Sequence, residues 1–203
     1  MRRAVLAVAA AVSFTVLVGC TSVSGGTPGP ATTTGGSGTP TEASEPTSTG
    51  NAPAITGPEL DLGKVSGPCD LLKADQLAAR GVTKPGAKEA DPAGPTCQWE
   101  PDDVVRGTSI GVTIMSKANG LDDMYANRAQ FPVFEPTEVA GYPAVNGDIT
   151  DAKHGACSTA VLVAKGEAFL VQIVVNDRNA PAYSTPCSES SAVAATVVGN
   201  LKG

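Results

Sequence analysis

Apolar and polar positions divide the chain into three stretches. Residues 4–18 are an apolar run of 15 residues broken only by Ser13 and Thr15 and opened by Met1-Arg2-Arg3. Residues 21–50 have no apolar period, since 25 of the 30 are Gly, Ser, Thr or Pro. Order is expected to begin near 60–66, and from there apolar residues recur at structured spacings. Leu71, Ala74, Leu77 and Ala78 predict a short helix over 74–80, stopped by Gly81. A Pro/Gly-rich loop over 84–95 follows, then a strand over 96–100 with Cys97 and Trp99 on one face, where the lone Trp reads as core. Residues 109–115 alternate sharply, with Ile110, Val112 and Ile114 inward and Ser109, Thr113 and Met115 outward.

A helix is expected over 120–130. Pro132 and Pro136 then impose a loop that gives way to a short strand over 137–139. After a turn at Gly141-Tyr142-Pro143 comes a strand over 144–149. Residues 157–165 and 168–175 form a hairpin about Lys165-Gly166-Glu167, with Phe169, Val171, Ile173 and Val175 on one face. Thr185-Pro186 opens a final helix whose stripe is Val193, Val197 and Leu201. The order α-β-β-α-β-β-β-β-α lacks a βαβ period of about 30 residues. The fold class is therefore α+β, a mainly antiparallel sheet with helices packed on it.

The apolar run ends in Leu17-Val18-Gly19-Cys20, and this box assigns it. A small residue before the cut and a thiol that accepts diacylglycerol after it are what a lipoprotein signal peptidase needs, so 1–19 reads as a signal peptide and Cys20 as the lipidated, palmitate-bearing residue. A transmembrane helix needs about 20 apolar residues, more than this run has. The expected organisation is 1–19 leader, 20–60 lipidated Cys and disordered linker, and 61–203 one globular domain. Some 40 linker residues have a root-mean-square reach of roughly 35 Å. The protein is then expected on the extracytoplasmic face of the cell membrane, held by its lipid anchor.

Removing Arg2 and Arg3 lowers the basic count from 14 to 12 against 20 acids, leaving the mature chain near −8. An acidic surface repels nucleic acid and anionic headgroups alike, so nucleic acid is excluded as a partner and membrane attachment falls to the lipid. Setting Cys20 aside leaves Cys69, Cys97, Cys157 and Cys187. An even number in an exported chain implies two disulfides. Metal is the competing use, but no two of these cysteines have a C-x2-4-C spacing, so no metal and no cofactor is expected.

Catalytic patterns find no anchor. Gly107-Thr108-Ser109-Ile110-Gly111 matches G-x-S-x-G but runs on into a strand, and the only histidine, His154, has no assignable role as a base. Asp102-Asp103 and Asp122-Asp123 are sequence neighbours whose side chains diverge, so they read as solvated charge. Tyr125, Phe131, Phe134 and Tyr142 gather in the irregular middle section, where aromatics can line a binding surface, core packing being the simpler account.

The ordered set Cys69-Asp70-Leu71-Leu72, Cys97-Gln98-Trp99, Gly141-Tyr142-Pro143-Ala144, Cys157, and Cys187 followed by Val193-Ala194 resembles an actinobacterial family of exported lipoproteins of unknown function. The resemblance spans 69–201 and departs at Lys73, where the family tends to carry a Ser or Thr cap. It implies an architecture similar to PsbP-like α+β sandwiches and to extracellular sensor domains of mycobacterial kinases, and it carries over no catalytic residue. Element order then favours Cys69 with Cys97 and Cys157 with Cys187; Cys69 with Cys187 is the alternative, since both open helices. The functional expectation is a non-enzymatic binding, accessory or sensor module for an envelope protein or small ligand. A carboxylate-based envelope hydrolase or transferase and a passive structural lipoprotein are the rivals.

Overall fold

The computed structural model describes residues 52–117, 119–148 and 154–203. The leader, the lipobox with Cys20 and the Gly/Ser/Thr/Pro-rich stretch to residue 51 lie outside the described residues. Seven strands form one sheet: β1 Ala87–Asp91, β2 Gly94–Trp99, β3 Thr108–Ile114, β4 Val133–Val139, β5 Tyr142–Asp148, β6 Ala156–Ala164 and β7 Glu167–Val175. Their spatial order is β1-β2-β3-β7-β6-β5-β4, and every pairing is antiparallel. Helices are few: α1 Ala74–Ala78, α2 Leu121–Ala126, α3 Pro181–Ser184 and α4 Pro186–Lys202, of which only α4 is long. The class is α+β with two disulfides, and its helical share is smaller than the periodicity suggests.

The larger core forms on one face of the sheet. Ile110, Val112, Phe169, Val171 and Ile173 meet Val193, Ala194, Val197 and Val198 of α4, all essentially buried. Leu201, the last of the expected stripe, is only partly covered. Ser190 at the start of this buried side donates its hydroxyl to the Val171 carbonyl at 3.1 Å, so a polar group inside the contact is satisfied rather than stranded. Leu71, Leu72 and Leu77 join the same core, with Trp99 at 2 % exposure. The opposite face is covered over part of its area by α2, whose Leu121, Met124 and Tyr125 pack with Val145, Ala160 and Ala168.

Several expectations are corrected. The loop over 84–95 contains β1, a strand whose residues are all exposed or half-buried and which is held by backbone pairing to β2 rather than by an apolar face. β4 begins at Val133, since Pro136 is tolerated on an edge strand that pairs on one side only. The tight turn is Ala140-Gly141, both with positive φ (51° and 91°), and Tyr142 and Pro143 already belong to β5. Ser109, Thr113 and Met115 are buried rather than solvated, because β3 sits between β2 and β7, where Thr113 bonds to Thr96 and Ser109 to Glu100, and Met115 packs with Leu121 and Met124. Residues 52–60, counted with the linker, lie along the domain: the Leu60 amide donates to the Val163 carbonyl at 2.8 Å and Leu60 is buried. Lys73 offers no cap of its own; Gln76 Oε1 accepts the Lys73 amide at 2.9 Å and steadies that helix start.

Candidate functional site

The structure bonds Cys69 to Cys97 and Cys157 to Cys187, each with Cα atoms 5.0 Å apart. The first fastens the turn Pro68–Asp70 to β2, and the second fastens the start of α4 to β6. These four side chains are thereby scaffold. The alternative that joins the two helix starts, Cys69 with Cys187, does not occur.

The remaining sequence candidates separate into structural roles. Ser109 lies within β3 and donates its hydroxyl to Glu100 Oε2 at 2.9 Å, with no strained turn presenting it. His154 is exposed, in the segment leading into β6. Asp102 accepts from the Thr83 amide and hydroxyl, and Asp103 from the Val105 and Arg106 amides, so this pair shapes a turn. Asp123 accepts from the Asn119 amide (2.9 Å) and side chain (3.0 Å), and those two bonds hold its carboxyl below the usual aspartate value. Asp122 accepts from the Ala52 amide at 2.8 Å. Among the described residues no group of three or more His, Cys, Asp or Glu side chains comes together in a way that would hold a metal ion.

Three of the four aromatics do meet. Phe134 of β4 takes Tyr125 edge-on at 5.1 Å and Phe131 at 6.2 Å, and burial raises the Tyr125 hydroxyl above its ordinary pKa. Tyr142 is elsewhere, on the α4 face, with its hydroxyl donated to the Pro58 carbonyl at 2.7 Å.

Beside this aromatic cluster α2 stops short of covering its face of the sheet, and the uncovered part is a groove of about 450 Å³. That volume lies within the roughly 300–1,000 Å³ of small-molecule sites. Met115, Met124, Phe131 and Leu170 make its apolar walls, and Val174, 46 % exposed, continues them. Its floor is part of a cross-strand row in which register sets Gln172 against Ser158 and Ser158 against Gly147, and the same row runs on beyond the groove from Gln172 to Gly111 and Gln98. The two glycines keep this row low. A Cβ at Gly147 would come within 2.9 Å of Met124 Cε, and one at Gly111 within 2.6 Å of Gln98 Oε1. Among the described residues the lining contains no Lys, Arg or His, and Asp148 is the one charged residue.

Of the lining residues the sequence singles out Phe131, for a binding surface, and Cys157, for a disulfide. The others escape it because they come from separated segments that strand register and the packing of α2 bring together.

The class of protein that this fold defines is a disulfide-stapled α+β domain with a half-covered antiparallel sheet and an apolar groove on the open part. The chain belongs to the family described as "Protein of unknown function (DUF3558)", which it matches over residues 15–200. No curated protein and no solved structure matches it.

Proposed function

We propose that this protein is a membrane-anchored extracytoplasmic lipoprotein, of the actinobacterial exported type, whose domain acts by binding a cell-envelope ligand or protein as an accessory or sensor module. The groove of about 450 Å³ beside α2 is the observation that carries the binding part of the reading. Its apolar walls desolvate a ligand, its neutral polar floor orients one, and the disulfides and α4 hold the sheet rigid beneath it. The anchoring part rests on Leu17-Val18-Gly19-Cys20 after an apolar run. Acting by binding rather than by catalysis fits the placement of Ser109 and of the paired aspartates, each of which is committed to local structure. A likeness in architecture to PsbP-like sandwiches and kinase sensor domains belongs to the same proposal.

Cys20→Ala tests the anchor. The variant is expected to leave the membrane fraction or to accumulate with its leader uncut, and to lose incorporation of labelled palmitate. Unchanged fractionation together with unchanged labelling would count against lipid attachment at this thiol.

A further inference from the structure

The open face of the sheet carries its polar side chains in cross-strand rows, and the rows differ in one respect. On one side of the groove floor Thr96 and Thr113 face each other and share a hydrogen bond of 2.7 Å. On the other, Ser109 donates to Glu100 at 2.9 Å. Between them, the amides of Gln98 and Gln172 and the hydroxyl of Ser158 make no side-chain hydrogen bond to any described residue. Gln172 and Ser158 are direct cross-strand partners and both line the groove. The satisfied rows are structural, whereas the middle row offers unused donors and acceptors at the bottom of an apolar trough.

The chemistry of the walls narrows what can use them. A carboxylate or phosphate would meet no cationic side chain among the described lining residues. An extended peptide that adds as a strand gains affinity by pairing its main chain with a sheet edge, and this groove lies on a face. Two methionines, a phenylalanine and a leucine suit a flexible aliphatic chain, since thioether side chains repack around varied shapes.

Resting on the binding reading above, we infer that the groove takes an uncharged acyl lipid: one aliphatic chain ending in an ester, amide or hydroxyl head. The chain lies along Met115, Met124, Phe131 and Leu170. The head accepts a hydrogen bond from Gln172 Nε2 and exchanges one with the Ser158 hydroxyl. Gln98 stands on the same row two strands away, outside the groove lining.

The test uses membranes carrying the full chain. They are exposed to a photoactivatable diazirine derivative of 1-palmitoylglycerol or of palmitic acid, and labelled peptides are mapped. The neutral probe is expected to label the segments holding Met115, Met124 or Leu170, at least tenfold more strongly than the acid. Gln172→Leu, at an exposed position that tolerates the change, is expected to reduce that labelling at least fivefold while protease resistance is unchanged. Equal labelling by the acid, labelling confined to other segments, or indifference to Gln172→Leu overturns the ligand class. In parallel, molecules released from the purified protein and from Val174→Trp, which fills the groove from an exposed position, are compared by mass spectrometry. A charged or non-lipid molecule lost from the variant overturns the acyl lipid and leaves the groove as the binding site. Nothing lost, together with no labelling, overturns both.

Discussion

The Cys157–Cys187 bond can be replaced by a pair of alanines, and the loop it closes sets the expected cost. The bonded cysteines are 30 residues apart, and the Cys69–Cys97 pair is 28 apart. Loop-closure entropy for rings of this size gives about 3.6 kcal/mol for each bond at 25 °C. In a domain of this length, with roughly 2–4 °C of melting temperature per kcal/mol, either double variant is expected to melt about 7–15 °C lower. Urea unfolding followed by the fluorescence of Trp99, which is 2 % exposed and therefore reports opening of the core, gives the free energy directly. Because the loops are nearly equal, the two variants are expected to lose nearly equal amounts. Losses below about 1 kcal/mol for both, or losses that differ several-fold, would refute loop closure as the source of the stability. Removing both bonds at once costs about 7 kcal/mol, a large part of the 5–15 kcal/mol that a domain possesses. The reduced chain is thus expected to sit close to unfolding.

Asn200→Ala removes the donations from Nδ2 to the Leu71 carbonyl (2.9 Å) and Gln76 Oε1 (2.8 Å) and the bond accepted from Gln76 Nε2 (2.9 Å); a loss of about 1–3 kcal/mol is expected in the same urea assay. Tyr125→Phe keeps the edge-on contact with Phe134 and deletes a hydroxyl whose pKa burial raises. A raised folded-state pKa contributes stability that is present below about pH 10 and disappears as pH climbs through the folded value, so wild type is expected to weaken in strong alkali by a component the variant lacks. Ser109 is expected to resist a fluorophosphonate probe, and Ser109→Ala to cost only about 1 kcal/mol through the lost bond to Glu100; labelling of Ser109 would revive a hydrolase.

What could be read from the chain beforehand was whatever apolar period records. The hairpin of β6 and β7 and the buried side of α4 show it because one side of each faces a continuous core. β1 has no such side: Ala87-Lys88-Glu89-Ala90-Asp91 is an edge strand, made by backbone pairing and protected by its own charges. Burial of Ser109, Thr113 and Met115 depends on which strands flank β3 and on what covers the far face, which alternation within one strand does not encode. The groove is harder still. Gln98, Gly111, Gln172, Ser158 and Gly147 stand 13, 61, 14 and 11 residues from one another along the row and become neighbours only when five strands lock in register.

Strand order has a consequence for assembly. β1 to β3 and β4 to β7 are two sets of successive hairpins, and they touch through the seam of β3 with β7. Its closest partners in sequence, Ile114 and Phe169, are 55 residues apart. A chain that emerges amino end first therefore holds a raw flank on β3 until β7 arrives. Cys69 and Cys97 both precede that moment and can be oxidised while the sheet is unfinished, whereas Cys187 follows it. The second crosslink is accordingly the clasp that shuts a completed sheet, and any truncation ahead of Glu167 leaves two separate meanders with nothing to zip them together.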